Sequence, residues 1–370
     1  MNDLIRRRLA NQRLTRSSLR TPADVVSWLG AMQSQDYAGA KWAIGLRASL
    51  TDADVEHACN EGSIIRTHIL RQTWHFVARR DITWLLALSG PRVNAVNAHY
   101  YRKLGLDERL FSRSRTVMER ALRDEHHLTR PELKAELARA RIVADGPRLA
   151  FLIMRAELDA VICSGPRRGN QLTYALLDER APYGTILDRE AALAELALRY
   201  FASHGPATLR DYVWWSGLLV RDAKAGIALA ASSLQREDVD GFTYWSADRP
   251  VPRDRTRKTA ASPVAYLLPN YDEYLIAHKD RHLVVSRGSG DGVTRIKDPF
   301  VHHLVIDGRL AGSWTRTVKD GSVDVRCALY ARPNVEARRA IDAAVASLGR
   351  FMERPSISSV DRTSRCCSDP

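Results

Sequence analysis

Two glutamines separated by one residue, Gln33-Ser34-Gln35, form the segment of this 370-residue chain whose spacing best suits chemistry. A glutamine amide does not titrate near neutral pH, so it is no general base. It can orient a water molecule and turn its carbonyl dipole toward developing positive charge. Side chains two residues apart point about 200° apart on a helix and to the same side of an extended segment. The pair therefore converges only if the helix opened by Thr21 and Pro22 ends near Met32, ahead of a loop Asp36-Tyr37-Ala38-Gly39. A capping glutamine next to a solvated one is the plain alternative. Asp36 is a nearby carboxylate able to hold or activate the same water.

A second cluster lies downstream. The run SIIRTHILRQTWHFVAR alternates and is rich in Ile, Thr, Trp and Phe, as strands are. By parity, Arg71, Thr73 and His75 share a face toward the glutamines or toward phosphates, and Leu70, Trp74 and Phe76 share the face toward the helices. Arg66, Arg71 and Thr73 are candidate DNA contacts, the arginines as phosphate clamps. His75 is either functional or a hydrogen-bonded core histidine. Trp42 and Tyr37 are candidates to stack on a damaged base, with a core position the alternative for Trp42. Asp272 and Glu273 would point to opposite faces of a strand, a poor acid-base pair. Asp272 reads as a structural hydrogen-bonding residue and Glu273 as a surface one. Neither His126-His127 nor His302-His303 has convergent ligands, and the five cysteines lack CxxC spacing. No metal, cofactor or disulfide framework is expected.

The elements that hold these residues follow an order. Over residues 1–80 the pattern reads helix, helix, helix, hairpin, with Thr21-Pro22 and Thr51-Asp54 as helix starts. This is the winged-helix order. Residues 81–182 repeat it, with Thr129-Arg130-Pro131 opening a short helix before the strand-like NQLTYALLD. Residues 183–250 repeat it again, with Gly205-Pro206 as the turn and Thr208 as a cap. Residues 251–350 begin in the charged PVPRDRTRKTAASP and continue as alternating segments, VAYLLPNYDEYLIAHKDRHLVVS among them. Asp-Gly turns punctuate them, and a terminal helix follows. The expected fold is α+β: about three tandem winged-helix modules, a small C-terminal β domain with a helix, and a disordered polar tail at 351–370.

Charge narrows the partners. Fifty-six Lys and Arg against 43 Asp and Glu give +13, an excess that suits nucleic acid. An Arg-rich composition from a GC-rich genome is the other explanation, and segments such as ERALRDE pair much of the charge locally. Hydrophobic residues make up 45% of the chain, which argues against wholesale disorder. No run approaches the roughly 20 apolar residues of a membrane span, and the basic start lacks an apolar signal core, so a cytoplasmic protein is expected.

Three segments carry a resemblance. LGAMQSQDYAGAKWAIGLRA is similar to a Q-aliphatic-Q or Q-aliphatic-D segment, RTHILRQTWHFV to a W-x-x-R-G-T-x-H-hydrophobic signature, and LLPNYDEYLIAHKDR with VIDGRLAGSWTR to L-P-x-Y/F-D-E-x-L and D-G-x-x-x-G-x-W blocks. Together they resemble the family of winged-helix DNA glycosylases that includes the AlkZ and YcaQ proteins. Ser34 stands where that family has an aliphatic residue, and Gln72 where it has glycine. The resemblance implies a metal-independent, monofunctional glycosylase acting as a monomer on double-stranded DNA, with Gln33 and Gln35 catalytic. It implies cationic N3- or N7-alkylated purines as substrates, including bulky cross-links. A non-catalytic winged-helix DNA binder, a regulator or protective protein, is the alternative.

Overall fold

The structure, a computed structural model, describes residues 3–247, 262–285 and 301–362. It is a mixed α+β fold. Thr21 caps the helix Pro22–Leu29 through a reciprocal bond with Asp24, and Pro22 takes the first position, where no amide hydrogen is needed. Gly30, at φ 80°, stops that helix. The helix thus ends three residues short of Met32, and Met32–Gln33 forms a short strand. The expected loop at Asp36 to Gly39 is instead a helix start. The Asp36 carboxylate accepts the Gly39 amide at 3.0 Å and caps the helix Tyr37–Gly45. The helix Asp52–Glu61 and the hairpin Ile64–His68 and Trp74–Ala78 complete the first repeat. Met32–Gln33 pairs antiparallel with Trp74–Ala78, which becomes the central strand.

The same order recurs twice. Helix Glu108–Leu122, strand Leu128–Thr129, helices Arg130–Arg139 and Pro147–Leu158, and strands Ile162–Ser164 and Thr173–Leu176 form the second round. Its last strand is again central. In the third round, helix Arg189–Ser203 leads to a single bridge between Ala207 and Trp245, then helices Leu209–Ser216 and Val220–Leu229 and the hairpin Leu234–Val239 and Phe242–Ala247. In every round the residue beginning the second helix is a capping one: Asp36, Thr129 or Thr208. The segment Gln33-Ser34-Gln35 therefore occupies a strand-to-helix junction that the other rounds also possess.

The C-terminal sheet runs Ala265–Leu268, His302–Ile306, Arg309–Lys319 and Ser322–Leu329 in antiparallel succession, covered by helix Val335–Phe351. Two expectations change here. Part of the tail expected to be disordered, Ser356–Arg362, is a strand parallel to Ser322–Leu329. Arg326 binds Asp361 at 2.7 Å, and the Ser358 hydroxyl donates to Asp342 at 2.7 Å. Polar composition concealed it because an edge strand needs backbone partners more than apolar side chains. The segment after Leu268 is also no continuous strand: Asp272 caps the short helix Glu273–Ile276. Most of the charged stretch around Arg249 lies outside the described residues.

The first repeat and the C-terminal sheet share one core. Val25, Trp42, Ile44 and Phe76 pack with Leu267, Trp314, Val325 and Phe351 in a single buried cluster. A β-carbon on Gly45 would come within 2.4 Å of the Phe351 ring, so that glycine sets how closely the two halves approach. Arg47 and Asp272, both fully buried, form a two-point ion pair at 2.8 Å and 2.8 Å, and Gln12 accepts from Arg47 at 2.7 Å. Removing one partner of such a pair strands a buried charge. Arg47→Met should therefore lower unfolding free energy by about 3–5 kcal/mol in urea titration. A loss below about 1 kcal/mol would show that the pair does not close the two halves.

Candidate active site

The segment Gln33-Ser34-Gln35 is extended, and burial alternates along it. Gln33 is half-buried, Ser34 fully buried and Gln35 exposed. Two backbone bonds fix this register: the Ser34 amide donates to the Trp74 carbonyl at 2.8 Å, and Gln33 lies opposite His75. Ser34 thus points inward. Its hydroxyl has no hydrogen-bond partner among the described residues, while its carbonyl accepts from Arg66 Nε at 3.1 Å. The Gln33 side chain is held: its carbonyl oxygen accepts from Arg71 at 3.1 Å. Gln35 makes no side-chain bond among the described residues and is free to meet a ligand.

A buried carboxylate underlies the segment. Glu273, expected at the surface, is 1% exposed. It accepts the Gln33 amide at 2.9 Å and the Trp215 indole at 2.9 Å, and lies 3.3 Å from His204 Nε2. Burial pushes its acidity toward the neutral form, but the His204 contact and the Gln33 amide outweigh that and hold its pKa below the usual carboxylate range. It is therefore a fixed anion. Sequence reasoning missed it because it took the segment as a strand; at a helix start, adjacent Asp272 and Glu273 both turn inward, each to its own partners.

His75 is wholly buried. Its Nδ1 donates to the Thr73 carbonyl at 2.9 Å, which leaves Nε2 an unpaired acceptor among the described residues. Burial, helped by the charge of Arg71, lowers its pKa to about 3, so the ring is neutral. It is a core histidine beside Gln33. Arg66 and Arg71 are both committed to the chain itself: Arg66 lies 4.4 Å over Trp74, and Arg71 also reaches the Trp214 carbonyl at 3.4 Å. Burial lowers the pKa of each. Their first task is to shape the site. Thr73 is half-buried, with its hydroxyl unpartnered among the described residues. Asp36 spends one oxygen on its helix cap. Among the described residues no group of three His, Cys, Asp or Glu is placed to hold a metal, and no helix is long and apolar enough to cross a membrane.

The sequence pattern of the family described as DNA glycosylase AlkZ-like matches residues 26–351. This chain belongs to the AlkZ-like DNA glycosylase family. A Streptomyces sahachiroi protein described as an interstrand DNA cross-link repair glycosylase is 24% identical over 319 residues, 83% of this chain and 85% of that one. The solved structure of Streptomyces sahachiroi DNA glycosylase AlkZ superposes with a TM-score of 0.78 at 21% identity, covering 97% of this chain and 98% of that chain. The two share a fold.

Within this AlkZ-like chain, Trp42 is not available to stack on a base. It is 1% exposed, donates its indole to the Leu267 carbonyl at 2.7 Å and packs 5.1 Å from Phe351. Trp214 has the better position. It is 40% exposed, and its ring lies 5.9 Å from the Arg71 guanidinium and 4.0 Å from Lys279 Nζ. The doubled Trp214-Trp215 held the signal, since neighbours on a helix cannot both face the core; Trp215 does. Trp74, expected to pack on the helices, is half-buried between Arg66 and His68, whose ring lies 4.3 Å away. His68 in turn pairs with the buried Glu157, tying the first hairpin to the second repeat. Gln72 is exposed but tethered, donating to Asn97.

The His75 value has a measurable consequence. The unfolded chain binds a proton near pH 6.5, and the folded ring refuses it until about 3. The stabilising contribution is full above pH 6.5 and is lost as pH falls through that window, at up to about 1.4 kcal/mol per pH unit. His75→Asn should lose less stability than the wild type between pH 7 and pH 4 in denaturant titrations. Parallel curves would place the ring in a wet environment.

Proposed function

We propose that this chain is a monofunctional DNA glycosylase for purines made cationic by N3 or N7 alkylation, that it accepts bulky and cross-linked lesions, and that it binds double-stranded DNA as a monomer through three winged-helix modules. One observation carries the reading: Gln35 stands exposed and unengaged directly beside a glutamine fixed from two sides. The roles divide accordingly. Gln33, anchored by Arg71 and by Glu273 through its amide, is the rigid wall of the site. Gln35 orients the water and offers its carbonyl to the cationic sugar.

The chemistry needs no titrating residue. The C1′–N bond breaks as its electron pair returns to the cationic base, which leaves as a neutral purine. Water attacks the oxocarbenium-like sugar at C1′ and releases its proton to solvent. A positively charged leaving group departs without protonation, so two neutral amides and a buried anion suffice. The Glu273 carboxylate sets a negative potential beneath the developing cation. Crosslink repair by the Streptomyces sahachiroi relative supports the bulkier substrate class.

The DNA face is not the helix a winged-helix module usually presents in its first copy. Helix Asp52–Glu61 carries four carboxylates, Asp52, Asp54, Glu56 and Glu61, and no Lys or Arg. Lys41 and Arg167 neutralise Asp52 and Glu56, and the helix offers phosphates no cation of its own. In the corresponding helix of the second round Arg155 is spent on Glu108 and Asp159 and Arg148 on the Val143 and Leu104 carbonyls, so the third-round helix, with Arg221 and Lys224, is the better reader.

Incubation with a duplex carrying one N7-methylguanine tests the reading. The wild type should release the base faster than the spontaneous rate, and Gln35→Ala should slow release about 10²-fold. No release above background across several alkyl lesions would sink the enzyme reading; undiminished release by Gln33→Ala, Gln35→Ala would sink the site. Glu273→Gln keeps shape and removes charge. It should lower kcat roughly tenfold while leaving affinity for the lesion duplex unchanged, whereas a parallel loss of affinity would make Glu273 a purely structural residue.

A further inference from the structure

A cleft of about 610 Å³ begins at Asp36, the residue after Gln35, and the reaction above makes no use of it. Tyr37 forms its floor. The ring is flanked by Lys41 Nζ and the Arg167 guanidinium, each 5.4 Å from its centre, and meets Phe76 edge-on at 5.6 Å. All three floor residues converge on one carboxylate: the Tyr37 hydroxyl donates to Glu56 at 3.2 Å, Lys41 binds it at 2.8 Å and Arg167 at 3.3 Å. Lys41 also reaches Asp52 at 2.8 Å. The positive charge of the floor is thus already matched within the protein. The walls are mixed: Leu172 from the second repeat, Val318 from the long C-terminal hairpin and Met352 supply apolar surface, and Asn170, Arg316 and Arg354 supply polar groups at the rim.

We propose that this cleft receives the substituent carried by the damaged purine, an organic group as large as the tethered second base of a cross-link, while Gln35 faces the sugar. The inference rests on the glycosylase reading. Contiguity supports it, since Asp36 belongs to the cleft and directly follows the reaction segment, so a group appended to a base held at Gln35 lies at its mouth. Size supports it, because a volume of this order holds a ligand of many heavy atoms and far exceeds a methyl group. Chemistry supports it as well. The floor charges are matched within the protein, so the planar Arg167 guanidinium is a surface on which a flat neutral ring stacks, while Arg316 and Arg354 can hold the phosphates of the strand that carries it. The cleft then determines which lesions are accepted without taking part in bond cleavage.

Filling the cleft tests this. Leu172→Trp, with Asn170→Trp as a second, more exposed variant, is compared with the wild type on two duplexes, one carrying N7-methylguanine and one carrying a guanine–guanine cross-link made with a bifunctional mustard. Release of N7-methylguanine should stay within about twofold, and release from the cross-link should fall about tenfold or more. Kd for the cross-linked duplex should rise about tenfold, or 1.4 kcal/mol, with Kd for the methylated duplex unchanged. Equal effects on both duplexes, or none on either, would overturn the assignment. If the wild type released neither base, the glycosylase reading would fail, and the two Kd values would still decide whether the cleft holds the substituent.

Discussion

Two adjacent carboxylates buried at one helix start, Asp272 and Glu273, hold the molecule together. Burying a charge is unfavourable unless donors replace the lost water. Here each carboxylate has its own set. Asp272 takes both ends of the Arg47 guanidinium, and Glu273 takes the Gln33 amide, the Trp215 indole and the His204 contact. These donors come from the first repeat, through Gln33 and Arg47, and from the third, through Trp215 and His204, while the dipeptide itself belongs to the C-terminal part. One dipeptide therefore fixes the relative placement of three parts of the chain, and the extended geometry of Gln33-Ser34-Gln35 depends on it.

Local chemistry was legible in the sequence wherever it was short-range. The Thr21, Thr51, Thr129 and Thr208 helix starts stand as expected, because a cap and its partner lie within four residues. The hairpin around Trp74 followed from alternation, but its faces did not follow parity, since His75 is buried and Trp74 half-buried. What could not be read was the identity of a residue's distant partner. Glu273 looked superficial because its donors lie up to 240 positions away. Trp42 looked available because nothing nearby in sequence reports the Leu267 carbonyl that captures it. The strand Ser356–Arg362 looked unstructured because its pairing is made by backbone groups.

The inward position of Ser34 also clarifies how this site tolerates variation. The glutamines on either side face outward, whereas residue 34 enters the protein beneath the Trp74–Ala78 strand. Replacing an aliphatic side chain by a hydroxyl there alters packing and leaves one buried polar group unpartnered among the described residues. It does not alter the outward chemistry. The segment is held by its backbone and by the residues below it.

The contact between Gln33 and Glu273 has a consequence for synthesis. A ribosome makes the Gln33-Ser34-Gln35 segment early and its anchoring carboxylate late, and three of the four antiparallel C-terminal strands that complete the shared core follow both. Until then the emerging chain has a glutamine pair without its wall and an apolar face on the first repeat without its cover. A truncated or half-translated product would be an incomplete binder exposing Trp42 and Phe76, a target for chaperones and proteases rather than a weak enzyme.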